Sequence, residues 1–196
     1  MALRIRHLAA AKYRTVPWRN GGGVTSEIAV EPEGATVDSR FLWRLSLARI
    51  DRSGPFSAFD GYDRTIALIT GAGMVLNFGE RGSARVDKPM QPLAFSGEWA
   101  PGCALIAGPT EDFNVMTDRQ RIRHRVERLE ASPTARALQM APTLAVFVGG
   151  GGTVSIDGGP MQLGSRDTLI VDGAAQVTLR STGLALAVGL FPIAAT

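Results

Sequence analysis

The chain is poor in the residues that build metal centres and disulfides. Among its 196 residues there are two histidines, His7 and His124, and one cysteine, Cys103. A single cysteine cannot close an internal disulfide. That excludes a disulfide-stapled secreted domain and fits a reducing, cytoplasmic compartment. A catalytic zinc or iron site wants about three N, S or O ligands converging on one point. His7 lies near the N-terminus and His124 in a basic stretch, so no metal and no other cofactor is assigned. Long apolar runs are lacking too. No segment reaches the roughly 18 uninterrupted apolar residues of a membrane helix, and the opening MALRIRHLAAAKYRTVPW holds no signal-peptide core. No membrane partner is expected.

Positive charge is in slight excess, with a formal net charge of +3. Only Arg119 to Arg128 (RQRIRHRVER) is densely basic, and it carries Glu127. No aromatic residues interleave with it and no recognisable module surrounds it, so nucleic acid is not an expected partner. It reads as a solvated connecting segment or short helix. A partner-binding scaffold that uses this segment is a further alternative.

What is present is a core and many turns. Hydrophobic residues make up 45% of the chain, with 23 glycines and 11 prolines, a mixture suited to short strands joined by tight turns. Helical periodicity is scarce. The first ten residues or so are open to a strand or to a helical turn around Leu8 to Lys12. Alternation then takes over. Phe41, Trp43, Leu45 and Leu47 point one way, and Leu42, Arg44, Ser46 and Ala48 the other. RTIALIT (64–70) and GMVLNF (73–78) follow, separated by Gly71-Ala72-Gly73. Polar and basic residues dominate from Arg119 to Pro142, and strands resume at Thr143, with a hairpin signal at Asp157-Gly158. The pattern predicts an all-β chain in two halves. Residues 1–120 form the first half with the ligand pocket, 121–142 connect, and 143–196 form the second half.

Four segments carry candidate function. PWRNGGGVTSEIAV (17–30) has three glycines in a row but lacks the GK[ST] of a phosphate loop, and a strand, not a helix, follows it. Gly21, Gly22 and Gly23 either turn a barrel corner or form a ligand rim, with Trp18 as an aromatic wall and Asn20 as donor and acceptor. Arg44 and Ser46 share one strand face. There Arg44 either meets solvent or lines an interior, where an unpaired charge would need an anion. In SGPFSAFDGYDRT (53–65), Ser57, Phe59 and Arg64 stand out. Arg64 either pairs locally with Asp63 or grips a carboxylate with two prongs. In GPTEDFNVMTDR (108–119), Asn114 and Met116 share a face suited to a small polar ligand or to ordinary strand packing. No nucleophile–base pair is assembled, and Asp63, Glu98 and Glu111 are not singled out by spacing, so no catalytic residue is assigned.

The run GPFSAFDGYDRTIALITGAGMVL (54–76) has the strand, turn and strand layout of a cupin. Where a metal-dependent cupin carries His-x-His, this chain reads Phe56, Ser57, Ala58, Phe59. Together with PWRNGGGVTSEIA, FLWRLSLARID, FSGEW and GPTEDFNVMTDR, it resembles the HutD/Ves family, closely over about the first 120 residues and by pattern beyond them. One branch of that family is encoded with bacterial histidine-utilisation enzymes and restrains that pathway, and another is induced by cold or other stress. The resemblance implies a double-stranded β-helix fold and a metal-free bicupin with two barrel halves in one chain. It implies a pocket in the first half for a small carboxylate metabolite, with urocanate and N-formyl- or N-formimino-glutamate as candidates. Carried onto this chain, the motif positions are Trp18, Asn20, Gly21 to Gly23, Arg44, Ser57, Phe59, Arg64, Asn114 and Met116. The chain departs from the family pattern at Ser26, where relatives carry a basic residue, and at Gly149 to Gly152. The function so implied is regulatory binding without catalysis, with a homodimer compatible. The alternative is a metal-independent cupin-type isomerase or hydrolase.

Overall fold

The computed structural model describes residues 2–194, and among them there is no α-helix. The strands are β1 (Arg4–Leu8), β2 (Arg14–Pro17), β3 (Gly23–Glu31), β4 (Trp43–Ile50), β5 (Gly54–Pro55) and β6 (Tyr62–Thr70). They continue with β7 (Met74–Asn77), β8 (Ser83–Val86), β9 (Leu93–Ser96), β10 (Gly102–Leu105), β11 (Thr110–Asp118) and β12 (Ile122–Leu129). The last are β13 (Ser132–Ala137), β14 (Thr143–Val148), β15 (Gly152–Ile156), β16 (Gly159–Leu163), β17 (Thr168–Asp172), β18 (Val177–Ser181) and β19 (Ala185–Pro192). The chain divides into a central unit, Arg14–Arg121, and a terminal unit built from Met1–Tyr13 and Ile122–Thr196.

The central unit holds a six-stranded sheet, β2-β3-β4-β11-β6-β9, and a four-stranded sheet, β5-β10-β7-β8. Ile50, Ile66, Leu68 and Phe95 from the first pack with Met74, Leu76, Val86 and Cys103 from the second, so the core lies between the two sheets. The terminal unit repeats the plan with β1-β17-β14-β19-β12 and β13-β18-β15-β16. Its core joins Leu144, Val146, Leu169 and Val171 to Val154, Ile156, Val177 and Leu179. All strand pairs are antiparallel, and none of the four sheets closes into a barrel.

Local chemistry accounts for much of this. Asp157 and Gly158 connect β15 to β16 with φ of 47° and 87°, and Ile156 faces Gly159. Two positive φ values make the tight hairpin turn whose twist matches its strands, and Asp-Gly is well suited to it. The N-terminal residues take both conformations left open by the sequence. Arg4–Leu8 pairs with Thr168–Asp172, and Ala10–Lys12 makes a 3-10 turn.

The domain boundaries differ from those expected. Residues 121–142 are not a connector but carry β12 and β13. Residues 1–13 belong with the second half, not the first. Arginines on β12 hid the strand. Arg123 and Arg125 are exposed while Ile122 and Leu129 are buried. Charged side chains on the open side of an end strand also discourage pairing with other chains. Neighbouring acids and amides occupy several of them: Arg128 meets Glu130 at 2.8 Å, and Arg125 donates to Gln139 at 2.8 Å.

Leu169 is fully buried in the terminal core. Leu169→Ala should cost about 2–5 kcal/mol in chemical denaturation, through lost burial and the cavity left behind. A change below 1 kcal/mol would show that this core is not packed as described.

Candidate functional site

The inner face of the six-stranded sheet is unexpectedly polar. Directly opposed residues on neighbouring antiparallel strands share a face. One row runs Arg64, Met116, Arg44 across β6, β11 and β4. The next is Ile66, Asn114, Ser46, Glu27, and the third is Leu68, Asp112, Ala48, Thr25. Leu45, Leu47, Phe113 and Val115 fill the opposite face and are buried as well.

Arg64 is 4% exposed, and its Nε has no hydrogen-bond partner. Among the described residues its one hydrogen bond is long, from Nη1 to the Ser57 carbonyl oxygen at 3.4 Å. Three phenyl rings surround the guanidinium instead, with centroids 5.0 Å (Phe95), 5.4 Å (Phe59) and 5.6 Å (Phe56) from Cζ. Burial pulls its pKa down to about 10. The Asp112 charge opposes that shift and the Arg44 charge adds to it. The group is still a cation at neutral pH, held where water cannot solvate it.

Asp112 is 1% exposed, and neither carboxyl oxygen has a hydrogen-bond partner. Burial pushes its pKa up to about 7, against the pull of Arg64 and with a smaller push from Glu111. Asn114, one step along the same face, is 8% exposed and its Oδ1 is also unpartnered. Opposite them the Cys103 thiol is raised to about 11 by burial and by the Asp112 charge, which leaves it unreactive.

Arg44 differs from Arg64 in being satisfied. It is 9% exposed and therefore interior, and its Nε donates to Glu27 at 2.9 Å. Glu27 also accepts from Arg14 at 3.0 Å. The anion expected for an interior Arg44 is thus supplied by the protein itself.

A cleft of about 270 Å³ opens beside this face, lined by Trp18, Asn20, Gly22, Ile50, Arg52 and Phe56 among others. Trp18 and Phe56 meet edge to face at 6.5 Å. The Trp18 indole N–H donates to Thr25 Oγ1 at 2.8 Å, which ties it to the row containing Asp112. Phe56 covers Arg64. Phe56 therefore lies against both the cleft and the Arg64 guanidinium.

The glycine run builds this rim through close packing and tight turns. A Cβ on Gly23 would lie 2.1 Å from the Arg49 carbonyl oxygen, so only glycine fits where β3 meets β4. Gly21 has φ of 63° and its carbonyl accepts from Arg52 Nη2 at 2.6 Å. Asn20 Oδ1 accepts from the Gly22 N–H at 2.9 Å, so that oxygen is spent on the turn.

The expected site residues thus fall into three groups. Trp18, Asn20 and Gly22 line the cleft, with Gly21 and Gly23 shaping its loop. Arg44, Phe59, Arg64 and Asn114 gather at the inner face. Ser57 is exposed and offers Arg64 its backbone carbonyl, while Met116 packs with Val30, Phe41 and Tyr62 in an apolar cluster. Asp63, weighed as a local partner for Arg64, instead pairs with Arg119 at 2.6 Å. Sequence reasoning missed Asp112, Glu27, Phe56 and Phe95. The alternation that joins Asn114 to Met116 also places Asp112 on their face, so that signal was available. Ser26 pairs with Thr15 at 2.8 Å and, opposite Leu47, points away from the polar rows. Neither histidine belongs to this face. His7 lies 2.7 Å from Asp167 in the terminal unit. Burial alone would raise that carboxyl, but the Ala10 amide, His7 and the Gly164 amide hold it below the usual range.

The HutD family model matches residues 10–187, and the chain belongs to that family. A 21.2 kDa protein of Pseudomonas putida, uncharacterised and lying in the hutC 3′ region, is 38% identical over 172 residues. The match spans 87% of this chain and 88% of that protein. A conserved protein of unknown function from Pseudomonas aeruginosa superposes with a TM-score of 0.88 at 35% identity, over 96% of this chain and 99% of its own. HutD from Pseudomonas fluorescens SBW25, solved in a formate condition, gives 0.81 at 34% identity, over 97% and 100%. The fold is cupin-like: the oxalate decarboxylase of Lactobacillus farciminis superposes at 0.62 with 11% identity, a likeness of fold alone.

Asp112 titrates near 7 in the folded chain, against an ordinary 3.8. Well below about pH 4 the carboxyl is protonated in both states and carries no ionisation penalty. Between about pH 4 and 7 only the native state keeps the proton, so stability falls as pH rises, and above about 7 the penalty is complete. Asp112→Asn should therefore stabilise the protein by a few kcal/mol more at pH 8 than at pH 4. Equal effects at both pH values, from urea denaturation of the two proteins, would exclude this account of Asp112.

Proposed function

We propose that this HutD-family chain is a cytoplasmic, metal-free binding protein for a small carboxylate metabolite and that it regulates histidine utilisation. The observation that carries the reading is Arg64, a guanidinium 4% exposed whose Nε has no partner. An unpaired buried charge is costly to keep, and a protein that keeps one gains most when an anion arrives. The planar fork suits a two-pronged contact with a carboxylate. Two guanidiniums face two carboxylates here, and one of those carboxylates, Glu27, already serves Arg44 and Arg14. That donor set favours an anion over a metal cation.

Two comparisons lend support. The Pseudomonas putida relative lies in the hutC 3′ region, and the Pseudomonas fluorescens relative was solved in a formate condition, formate being the smallest carboxylate. Urocanate and N-formyl- or N-formimino-glutamate are the ligands to try. The ligand enters from the cleft past the Trp18–Phe56 pair. In the same reading the two units, each a pair of sheets around its own core, are the two modules of a bicupin. An enzymatic alternative rests on Asp112, whose carboxyl titrates near 7, in the range useful for general acid–base work.

A ligand that binds only the native state adds about 2.7 kcal/mol of stability at 100 times its Kd. Urocanate or N-formylglutamate should raise the melting temperature accordingly, and the matching carboxamides should not. Arg64→Met should fold, by circular dichroism, and lose the shift, because the two-pronged contact is worth roughly 2–5 kcal/mol. An Arg64→Met protein that binds as tightly as wild type would place the ligand elsewhere. Conversion of either ligand during prolonged incubation, followed by NMR, would favour the enzymatic alternative.

A further inference from the structure

Arg64 is the group that an anion must reach, yet at 4% exposure almost no water-sized space adjoins it. Something must move before a carboxylate can touch the guanidinium. The sheet itself is a poor candidate. Arg64 faces Met116 on β11 and Phe95 on β9, so displacing either strand breaks a hydrogen-bonded ladder. Phe95 is fixed further by its contact with Phe78 at 5.5 Å. The other two rings over the cation, Phe56 and Phe59, come from the irregular segment 56–60 between β5 and β6. That segment is two-faced. Ser57, Ala58 and Asp60 are exposed, while the two rings and the Ser57 carbonyl turn inward to Arg64.

Its fastenings are few. The Phe56 N–H donates to the Pro101 carbonyl and the Phe59 N–H to the Gly97 carbonyl, both at 2.9 Å. The Tyr62 N–H closes a turn onto the Phe59 carbonyl at 3.2 Å. Both ends are firm. Gly54 and Pro55 pair with Cys103 and Gly102. Gly61, at φ of 83°, donates its N–H to Glu98 at 2.9 Å, and Arg119 grips Glu98 in turn at 3.0 Å. Gly97 is the seat. A Cβ there would lie 2.3 Å from the Phe59 carbonyl oxygen, so only glycine lets the segment settle. A stretch with few backbone hydrogen bonds between two firm ends opens locally, without the rest of the fold. Opening also returns the Arg64 charge to water, which offsets part of the cost of releasing the rings.

We propose that residues 56–60 are a lid that fills the space beside Arg64 and swings out at Pro55 and Gly61 to let an anion in. The inference rests on the reading of Arg64 as the anion-binding group and adds a gate to it. Phe56 also lines the cleft, so its displacement joins the cleft to the guanidinium. The rate of entry is then set by the fraction of molecules with the lid open. The FSGEW segment and Arg119, remote from the cation, acquire a role as the seat and hinge support of the lid.

The test compares the wild-type chain with Gly97→Ala, which unseats the lid without altering the sheet face. Arg64 reactivity is read first, without ligand, as the rate of phenylglyoxal modification located by peptide mass spectrometry. Arg44 is the control, being 9% exposed, two strands away and bonded to Glu27. Gly97→Ala should raise the Arg64 rate, relative to that of Arg44, at least about tenfold. The association rate of N-formylglutamate, followed by stopped-flow tryptophan fluorescence, should rise by a similar factor. An Arg64 rate that moves no more than that of Arg44 overturns the proposal and leaves the carboxylate reading intact. So does an Arg64 rate that rises while association stays unchanged. Faster modification with no binding of N-formylglutamate to either protein sinks the carboxylate reading and retains the lid. Should Gly97→Ala not fold, amide exchange on wild type decides. The Phe56 and Phe59 N–H groups should exchange together and at least about 100-fold faster than that of Val115 in β11. Exchange as slow as that of Val115 means that the segment opens only with global unfolding, and the proposal fails.

Discussion

A guanidinium stripped of water and left without a close carboxylate is the constraint around which the central unit is arranged. Arg64 could have been neutralised by a one-residue change in reach, as Arg44 is by Glu27 at 2.9 Å. Instead it is enclosed by Phe56, Phe59 and Phe95, whose ring faces attract a cation while offering no hydrogen-bond acceptor in the guanidinium plane. The rings make the charge tolerable and leave its Nε without a partner. Asp112 couples to Arg64 through space without bonding to it. The two charges thus form a separated pair, a fixed dipole lying along the sheet.

Sheet geometry makes such an arrangement possible. β6, β11 and β4 are the middle of a six-stranded sheet, so their backbone groups are occupied and their side chains are held in register. Antiparallel pairing then sets the spacing of the rows, and the residues on one face cannot drift past one another. Polar groups on so rigid a face cannot relax toward each other, which is why they remain unsatisfied. Local rules of stability are broken here and obeyed in the terminal unit, whose core is apolar on both contributing sheets. Such local violations on an otherwise well-packed scaffold are where function is expected to reside.

Much of the fold was legible because strand chemistry is local. The alternation around Leu45 and Leu47, the Gly71–Gly73 turn and Asp157-Gly158 all report on residues a few positions apart. The connector was misread because charge on one face of β12 masks a strand whose identity depends on pairing with β19, some sixty residues distant. The site was partly legible for the same reason. Arg64, Arg44 and Asn114 announced themselves as polar residues in apolar strands. What no local pattern could supply was the pairing across strands. That pairing gives Arg44 to Glu27, withholds Asp63 from Arg64, and sets Asp112 beside Asn114 with nothing to bond.

The same pairing separates what the fold implies from what the site does. Oxalate decarboxylase shares this fold at 11% identity, and a fold shared at that level leaves chemistry undetermined. Chemistry here is written on seven side chains of one sheet face: Thr25, Glu27, Arg44, Ser46, Arg64, Asp112 and Asn114. Their charges balance formally, two guanidiniums against two carboxylates, but the bonding does not. One pair is closed and the other is held apart. A guest carrying both charges would complete the open pair without adding net charge to the interior. An anion alone would leave Asp112 with a second negative neighbour and would push it to take up a proton. On the proposed reading, the face would sort guests by their internal charge distribution, because its own charges are fixed in place by the sheet.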